Sequence, residues 1–440
     1  MRAFVASVAA LVSCGGTVGS SPAPGTCSGP TLVASTPVTL ASESPVPPNF
    51  PASVAVQALA TPWGLLVITG GGNSDAPQPI QAWRVAVAAD GTTSVSSATI
   101  ADAGKKTYVL GVAGAPGTAD AAVLWDIEAS GGGSVTSFVT TVRGDGGTLR
   151  VMPAVTLNAP FESQSSVAFD GSEFAVFTAD IASTPRLEMQ RVSLDGTVKG
   201  GPLTVIGPPE FNGGARALST PEGAALVWSD STPSDPYYSR SHVSLIRADG
   251  SIAHDAILQG VLRWTGKRLL DVVPSQTGAP TTQVVDLGWF GGPSWTTTLP
   301  GYGGADTAVA EANGQILIAT SDSLGSTTTV YGAAPGKPFV ALGKASSPAA
   351  FGADGCGHWV LASAPPQNTG VQYEHGGSWT LSKLGATAEH LSVGSDLPYM
   401  YMGGGSFVQT PGGLGFVWNE NSQGSDAPST VRFATLRWQP

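Results

Sequence analysis

Acidic residues recur at one position in this sequence, shortly after short apolar segments. Five of them could act together: Asp126, Asp180, Asp230, Asp322 and Glu420. If the apolar segments are equivalent strands of a repeat, these carboxylates form a partial ring that suits a cation or an amine-bearing ligand. In the alternative, each acid caps its own loop or pairs with an arginine of the following strand, such as Arg143, Arg191, Arg240 or Arg432. Recurrence in most repeats favours this structural interpretation.

A second group of candidate ligand contacts lies in one segment, where Asp235, Tyr237 and Tyr238 follow Asp230. Tyrosines beside acids can stack on a sugar or peptide and form hydrogen bonds with it. A loop that packs on its own repeat would need the same residue types. The sequence therefore leaves both interpretations open for this segment.

Cys356, His358 and Glu374 form a weak candidate for a metal site. Thiolate, imidazole and carboxylate are all zinc ligands, and the three would lie together if Ser363 paired with Thr369 across a hairpin. Only three ligands are within reach, so a polar hairpin end is the simpler interpretation, and we expect no metal and no cofactor. Cys356 could instead form a disulfide with Cys27 in an oxidising compartment, or the two cysteines could be unrelated.

The usual signatures of catalysis and of nucleic-acid binding are missing. The sequence contains no nucleophile elbow, zinc-protease motif, phosphate-binding loop, dinucleotide fingerprint or calcium-binding loop. The segment 321–325 matches only part of the Asp box of sialidases. The net charge of −11, with 20 basic residues, leaves no basic surface for phosphates. We therefore expect no nucleic-acid partner and no catalytic residues.

The apolar segments belong to a repeat of about 50 residues, the length of a four-stranded propeller blade. The clearest unit, residues 165–207, has hairpin turns at Asp170-Gly171 and Asp195-Gly196. Its second strand recurs eight times along the sequence, at residues 64–69, 121–126, 174–179, 225–230, 269–273, 316–321, 358–363 and 415–420. The sequence predicts an all-β, single eight-bladed β-propeller. A divergent fifth copy, and an insertion expected at residues 385–403, keep seven blades as the alternative.

The two ends of the sequence predict how the ring closes. The last copy stops before its fourth strand, while residues 36–42 precede the first copy and resemble the fourth strand at residues 152–157. We therefore expect residues 36–42 to complete the last blade, which leaves no open sheet edge. Trp125, Trp228, Trp359 and Trp418 are expected to pack between neighbouring blades.

The N-terminal segment is typical of export. Arg2 precedes a short apolar stretch, and Leu11-Val12-Ser13-Cys14 is similar to a bacterial lipobox. The predicted organisation is a signal peptide at 1–13, a lipidated flexible tether at 14–35 and a propeller at 36–440. Because Gly15 follows Cys14, resemblance to known lipoproteins favours the outer membrane or cell surface; a periplasmic or secreted protein is the alternative.

The combination of lipobox, tether and repeat resembles exported bacterial β-propeller lipoproteins of largely unassigned function. That resemblance brings no catalytic residues with it. It implies a non-enzymatic cell-envelope lipoprotein whose long loops, between the second and third strands, bind a protein, peptide or glycan. A carbohydrate-active hydrolase or lyase with carboxylates at the channel mouth is the alternative. We expect a monomer that meets the membrane through its lipid anchor alone.

Overall fold

The computed structural model describes most of the chain from residue 31 onward. The described ranges are 31–42, 57–61, 64–70, 79–88, 92–102, 107–115, 118, 120–128, 135–145, 147–157, 164–180, 185–207, 211–231, 239–275, 279–290, 294–303, 307–322, 328–345, 349–354, 358–363, 379–384, 390–393, 400–410, 413–422 and 430–439. These residues form strands and turns without a helix, and so include no helix that could cross a membrane.

The strands form eight antiparallel sheets, each a meander in which consecutive strands pair. Blade 1 contains β3 (Gln57–Thr61), β4 (Gly64–Thr69), β5 (Ile80–Val87) and β6 (Thr93–Ala101), and blade 2 contains β7 (Thr107–Gly114), β8 (Asp120–Glu128), β9 (Val135–Asp145), β10 (Thr148–Val151) and β11 (Val155–Thr156). Blade 3 contains β12 (Gln164–Phe169), β13 (Phe174–Asp180), β14 (Arg186–Val192) and β15 (Val198–Ile206), and blade 4 contains β16 (Phe211–Thr220), β17 (Gly223–Ser231), β18 (Ser239–Ile246) and β19 (Ile252–Leu258).

Blades 5 to 8 follow the same order and complete the ring. They contain β20 (Val261–Trp264), β21 (Leu269–Pro274), β22 (Thr281–Asp286) and β23 (Thr296–Pro300); β24 (Val309–Ala312), β25 (Gln315–Ser321), β26 (Thr328–Ala333) and β27 (Val340–Ala345); β28 (Ala349–Ala353), β29 (Trp359–Ser363), β30 (Trp379–Lys383) and β31 (His390–Val393); β32 (Met400–Thr410), β33 (Gly413–Ser422) and β34 (Thr430–Gln439), with β1 (Thr31–Ala34) and β2 (Val38–Ser42) on the outer edge of β34.

This architecture confirms the eight-bladed β-propeller and excludes seven blades. The divergent fifth copy forms a complete four-stranded sheet. The expected insertion at residues 385–403 was wrong, because His390–Val393 is the fourth strand of blade 7 and Met400 begins the first strand of blade 8. That fourth strand escaped notice because it has four residues, too few to show an alternating pattern.

Ring closure by the N-terminal segment is confirmed, and the closing strand is longer than expected. Val38 is the register partner of Phe433 and Thr31 that of Gln439, so pairing starts inside the segment expected to be a tether. The strand is interrupted at residues 35–37, where the Ser35 amide donates to the Thr435 carbonyl over 2.9 Å. Blade 2 has the same interruption between β10 and β11, beside Pro153.

The hydrophobic core is divided among the blade interfaces. Each of eight buried clusters joins one pair of neighbouring blades, and the pair formed by blades 8 and 1 contains Leu40 of the closing strand. Second strands such as β4, in which all six residues are buried, pack against a neighbour on both faces and so read as continuous apolar runs. The four tryptophans lie in these interfaces as predicted: Trp125, Trp228, Trp359 and Trp418.

The antiparallel meanders give the ring two different ends. Turns between first and second strands, and between third and fourth strands, share one end, which we call the turn face. Most of these turns are tight: Gly171 has a φ of 97°, and Asp170 accepts hydrogen bonds from the Ser172 and Glu173 amides. The connections from second to third strands and from blade to blade share the other end, which we call the loop face.

Candidate functional site

A polar network near the loop face lies in blade 4, and it includes one of the predicted acids. The register pairs Asp230 of β17 with Arg240 of β18, and Trp228 with His242. Asp255 of β19 is the partner of Ser244. Cross-strand partners point to the same side of a sheet, and Trp228 packs in the core between blades 3 and 4. All of these side chains therefore face blade 3.

Asp230 closes the base of the loop between β17 and β18. Its Oδ2 accepts hydrogen bonds from Arg240 Nε and Nη2 at 3.0 and 2.6 Å, and its Oδ1 accepts one from the Arg240 amide at 3.0 Å. Burial by itself would raise the pKa of Asp230, but the bonds from Arg240 and His242 outweigh burial and hold this pKa below its ordinary value. The carboxylate is therefore a structural anion, as the structural interpretation predicted.

His242 lies between two carboxylates. Its Nε2 is 3.1 Å from Asp230 Oδ2, and its Nδ1 is 3.4 Å from Asp255 Oδ2. The imidazole stacks on the Trp228 indole with ring centroids 4.3 Å apart. This packing fixes the ring plane, so that both nitrogens stay aimed at the acids.

Ser244 connects the indole to the second carboxylate. Trp228 Nε1 donates to Ser244 Oγ over 2.8 Å, and Ser244 Oγ donates to Asp255 Oδ1 over 2.6 Å. The hydroxyl thus contacts the carboxylate rather than the imidazole. A nucleophilic triad needs the order serine, histidine, aspartate, so this chain of hydrogen bonds positions strands and does not activate a nucleophile.

The other well-placed acid of the predicted set, Asp126, lies in a different interface. It follows Leu124 by two residues in β8, and Leu124 packs in the core between blades 2 and 3, so Asp126 faces blade 3 from the opposite side to Asp230. Burial raises the pKa of Asp126, and its hydrogen bond with Ser137 offsets only part of that effect. The structure therefore does not bring Asp126 and Asp230 together.

The remaining predicted residues are described only in part. Asp322 is exposed and directly follows β25. Asp180 ends β13 as the register partner of Arg186, and Glu420 in β33 is the partner of Thr430. The side chains of these last two lie outside the described part of the chain, as do all of Cys14, Cys27, Asp235, Tyr237, Tyr238, Cys356 and Glu374.

The register assumed for the weak metal site was wrong. Ser363 is the partner of Thr380, not of Thr369, because the third strand of blade 7 begins at Trp379. His358 Nδ1 lies 3.0 Å from Asp354 Oδ2, which also accepts a hydrogen bond from Trp438 Nε1. Within the described ranges no group of three or more His, Cys, Asp or Glu side chains could hold a metal ion.

Several ion pairs were not predicted from the sequence, because only acids at the ends of second strands were considered. Arg143 pairs with Asp120, and Arg191 with Asp170 and Glu173. Asp120 begins the second strand of its blade, and Asp170 and Glu173 lie in the turn before β13, so all three acids are on the turn face. His242 and Asp255 were also missed. Aligning the hairpin on Asp230 and Arg240 would have placed His242 opposite Trp228.

Comparisons with known proteins give distant structural neighbours but no match in sequence. The sequence matches no family model, and no curated protein is significantly similar to it. The β-propeller domain of the Trilobed protease from Pyrococcus furiosus superposes with a TM-score of 0.43 at 9% identity, over 74% of this chain and 93% of that domain. Acylaminoacyl peptidase from Pyrococcus horikoshii gives 0.43 at 8% identity, over 71% of this chain and 49% of the peptidase.

A sialidase is a further neighbour among the solved structures. The Trypanosoma rangeli enzyme bound to the inhibitor DANA gives a TM-score of 0.37 at 15% identity, over 79% of this chain and 57% of the sialidase. The chain thus spans about half the length of the peptidase and of the sialidase. Scores and identities this low carry no argument about function, and the fold assignment rests on the eight sheets themselves.

Proposed function

We propose that this chain is a non-enzymatic scaffold of the cell envelope that binds a protein, peptide or glycan through its loop face. The observation that carries the proposal is the clamp of Arg240 and His242 on Asp230. It fixes the end of β17 to the start of β18, and the sequence places the candidate ligand contacts Asp235, Tyr237 and Tyr238 between these two strands. A rigid frame that presents variable loops is a common arrangement for recognition.

The placement of the acids supports binding over hydrolysis. A glycosidase needs two carboxyl groups about 5–10 Å apart that face the same substrate. Asp126 and Asp230 face blade 3 from opposite sides, and Asp230 is already held in an ion pair with Arg240. An aspartate whose pKa is held below its ordinary value is a poor general acid near neutral pH.

A glycan array and an immobilised-peptide array, probed with a chain that begins at Thr31, test this proposal. We expect saturable binding that is lost on Tyr237→Ala combined with Tyr238→Ala. The matched control is Glu222→Ala, an exposed residue of the turn between β16 and β17 at the opposite end of the same blade. Binding that survives the tyrosine substitutions but is lost on Glu222→Ala would place recognition on the turn face and contradict the proposal. Release of cleaved glycan, detected by mass spectrometry, would favour the hydrolase.

We further propose that Cys14 carries a lipid that anchors the propeller at the outer membrane or cell surface. The support is the lipobox-like segment and the net charge of −11, which disfavours electrostatic binding to anionic lipid. Metabolic labelling with an alkynyl fatty acid should mark the wild-type protein and the Cys27→Ser control but not Cys14→Ser. Equal labelling of all three would contradict the anchor.

A further inference from the structure

The fourth strands form the outer circumference of the propeller, and most of them carry features that discourage pairing with another chain. An edge strand offers unpaired backbone groups, and proline, glycine, lysine or an interruption blocks their use. β15 contains Pro202 and β23 ends at Pro300, while β27 contains Gly343 and Lys344. β6, β19 and the four-residue β31 contain none of these residues. β19, with the sequence IAHDAIL, has a register shift between Ile252 and His254 and then a regular run from His254 to Leu258.

β19 and the neighbouring β15 also carry exposed apolar side chains. Ile252 is 44% exposed and Ile257 is 43% exposed. Their register partners, Ile246 and His242, point toward blade 3, so both isoleucines lie on that side of the strand.

The third exposed apolar side chain, Leu203, is on β15 of blade 3. Leu203, 45% exposed, lies so close to Gly250 that a Cβ built there would be 2.2 Å from Leu203 Cδ2. Gly250 is two residues before Ile252. We call Leu203, Ile252, Asp255 and Ile257 the rim groove; it lies on the outer circumference, and Ile257 is at its loop-face end because its register partner is His242.

Asp255 gives the rim groove a negative centre. It lies between the two isoleucines on the same side of β19, since its partner is Ser244. Its Oδ1 accepts a hydrogen bond from Ser244, and its Oδ2 is 3.4 Å from His242 Nδ1. These contacts fix the carboxylate, while 43% of the side chain stays exposed and within reach of a cation on a partner.

We propose that the rim groove binds an extended peptide segment of a partner protein, which adds as a strand to the free edge of β19. The segment carries a lysine or arginine that pairs with Asp255 and, two residues away, an apolar side chain that covers Ile257. A second apolar side chain covers Ile252, which lies three residues before Asp255 and beyond a register shift in the strand pair. Strand addition draws affinity from the backbone and specificity from alternate side chains. A second copy of this chain fits less well, because antiparallel pairing about the strand centre would bring two Asp255 carboxylates together.

A display library of random peptides about nine residues long, enough to span β19 at ~3.3 Å per residue, tests this inference on the full propeller. We expect enriched sequences to share a Lys or Arg with an apolar residue two positions away, which covers Ile257. Affinity should fall about fivefold on Asp255→Asn, which keeps the side-chain shape, and about tenfold or more on Ile257→Lys. Val340→Lys is the matched control, because Val340 is 59% exposed on β27 and should leave affinity unchanged.

Three results would overturn the inference. One is a library that yields no shared pattern. Another is a set of enriched peptides that bind Asp255→Asn and Ile257→Lys as tightly as they bind the wild type. The third is a concentration-dependent dimer in analytical ultracentrifugation that Ile257→Lys abolishes, which would assign the rim groove to a second copy. Thermal melts of all variants exclude misfolding as the cause, and failure here leaves the loop-face proposal untouched.

Discussion

Asp126 and Asp271 are a matched pair of buried carboxyl groups that should respond oppositely to the same substitution. Both lie in second strands, at 8% and 4% exposure, and burial raises the pKa of both. Their partners differ. Asp271 accepts hydrogen bonds from the Gln259 and Gly260 amides at 2.8 and 3.0 Å. Asp126 has a hydrogen bond with Ser137, but its Oδ1 meets no partner among the described residues.

Replacing each Asp with Asn removes the charge and keeps the shape. At Asp126 this relieves the cost of a buried charge that is only partly hydrogen-bonded, so we expect the free energy of unfolding at neutral pH to stay equal or rise by about 1 kcal/mol. At Asp271 a side-chain amide must replace an oxygen that faces a backbone N–H. Loss of one charge-assisted bond there should cost about 1.5–3 kcal/mol.

The pH dependence provides an internal check on the Asp126 argument. When the pKa of a carboxyl group is higher in the folded state than in the unfolded state, the folded protein loses stability as the pH rises. The loss begins near pH 4, the pKa in the unfolded state, and ends above the pKa in the folded state. The advantage of Asp126→Asn should therefore be absent below about pH 4 and grow above it.

Urea denaturation followed by tryptophan fluorescence across this pH range measures both effects. The reasoning is refuted if Asp126→Asn destabilises the protein as much as Asp271→Asn, or if the difference between wild type and Asp126→Asn does not change with pH. The first result would mean that Asp126 makes a contact as strong as the two amide bonds of Asp271. The second would mean that the pKa of Asp126 is not raised in the folded state.

Two further predictions concern packing and the blade 4 network. Leu40 is 2% exposed in the closing strand, so Leu40→Ala should lower the free energy of unfolding by about 2–5 kcal/mol. The control is Val340→Ala, at a residue 59% exposed, which should change this free energy by less than about 0.5 kcal/mol. Similar urea midpoints for the two variants would contradict the packing of Leu40. Asp230→Asn should destabilise the protein at neutral pH by about 1–3 kcal/mol. Because the pKa of Asp230 is lowered in the folded state, the difference between variant and wild type should vanish only as the pH falls below about 4. A difference that persists in acid would show that the charge of Asp230 is not its cause.

Much of the fold could be predicted from local patterns. Asp170-Gly171 identifies a tight turn because glycine readily adopts positive φ, and the eight buried second strands show as apolar runs because both of their faces meet a neighbouring blade. The closing strand could be found because residues 36–42 resemble residues 152–157, and both turned out to be outer strands.

The polar contacts could not be predicted as well, because they depend on register. A shift of one residue in a strand pair moves every side chain to the other face, and the length of the loop after β29 fixed a register different from the one assumed at Ser363. The hydrogen bonds of His242 join three strands of blade 4, so no local spacing shows them. The acids after second strands look equivalent in sequence, yet Asp126 and Asp230 face different interfaces.

The central claim is that residues 31–42 supply the outer strand of blade 8 and so close a ring of eight blades. A chain that begins at residue 43, mixed with a synthetic peptide of residues 31–42, tests it in a thermal melt. We expect the shortened chain to melt at a temperature well below that of the full chain. The peptide should bind in equimolar amount and restore the melting temperature. A peptide with Leu32 and Leu40 replaced by Asp should not bind and should not restore the melting temperature. A shortened chain that melts at the wild-type temperature and ignores the peptide would contradict the account.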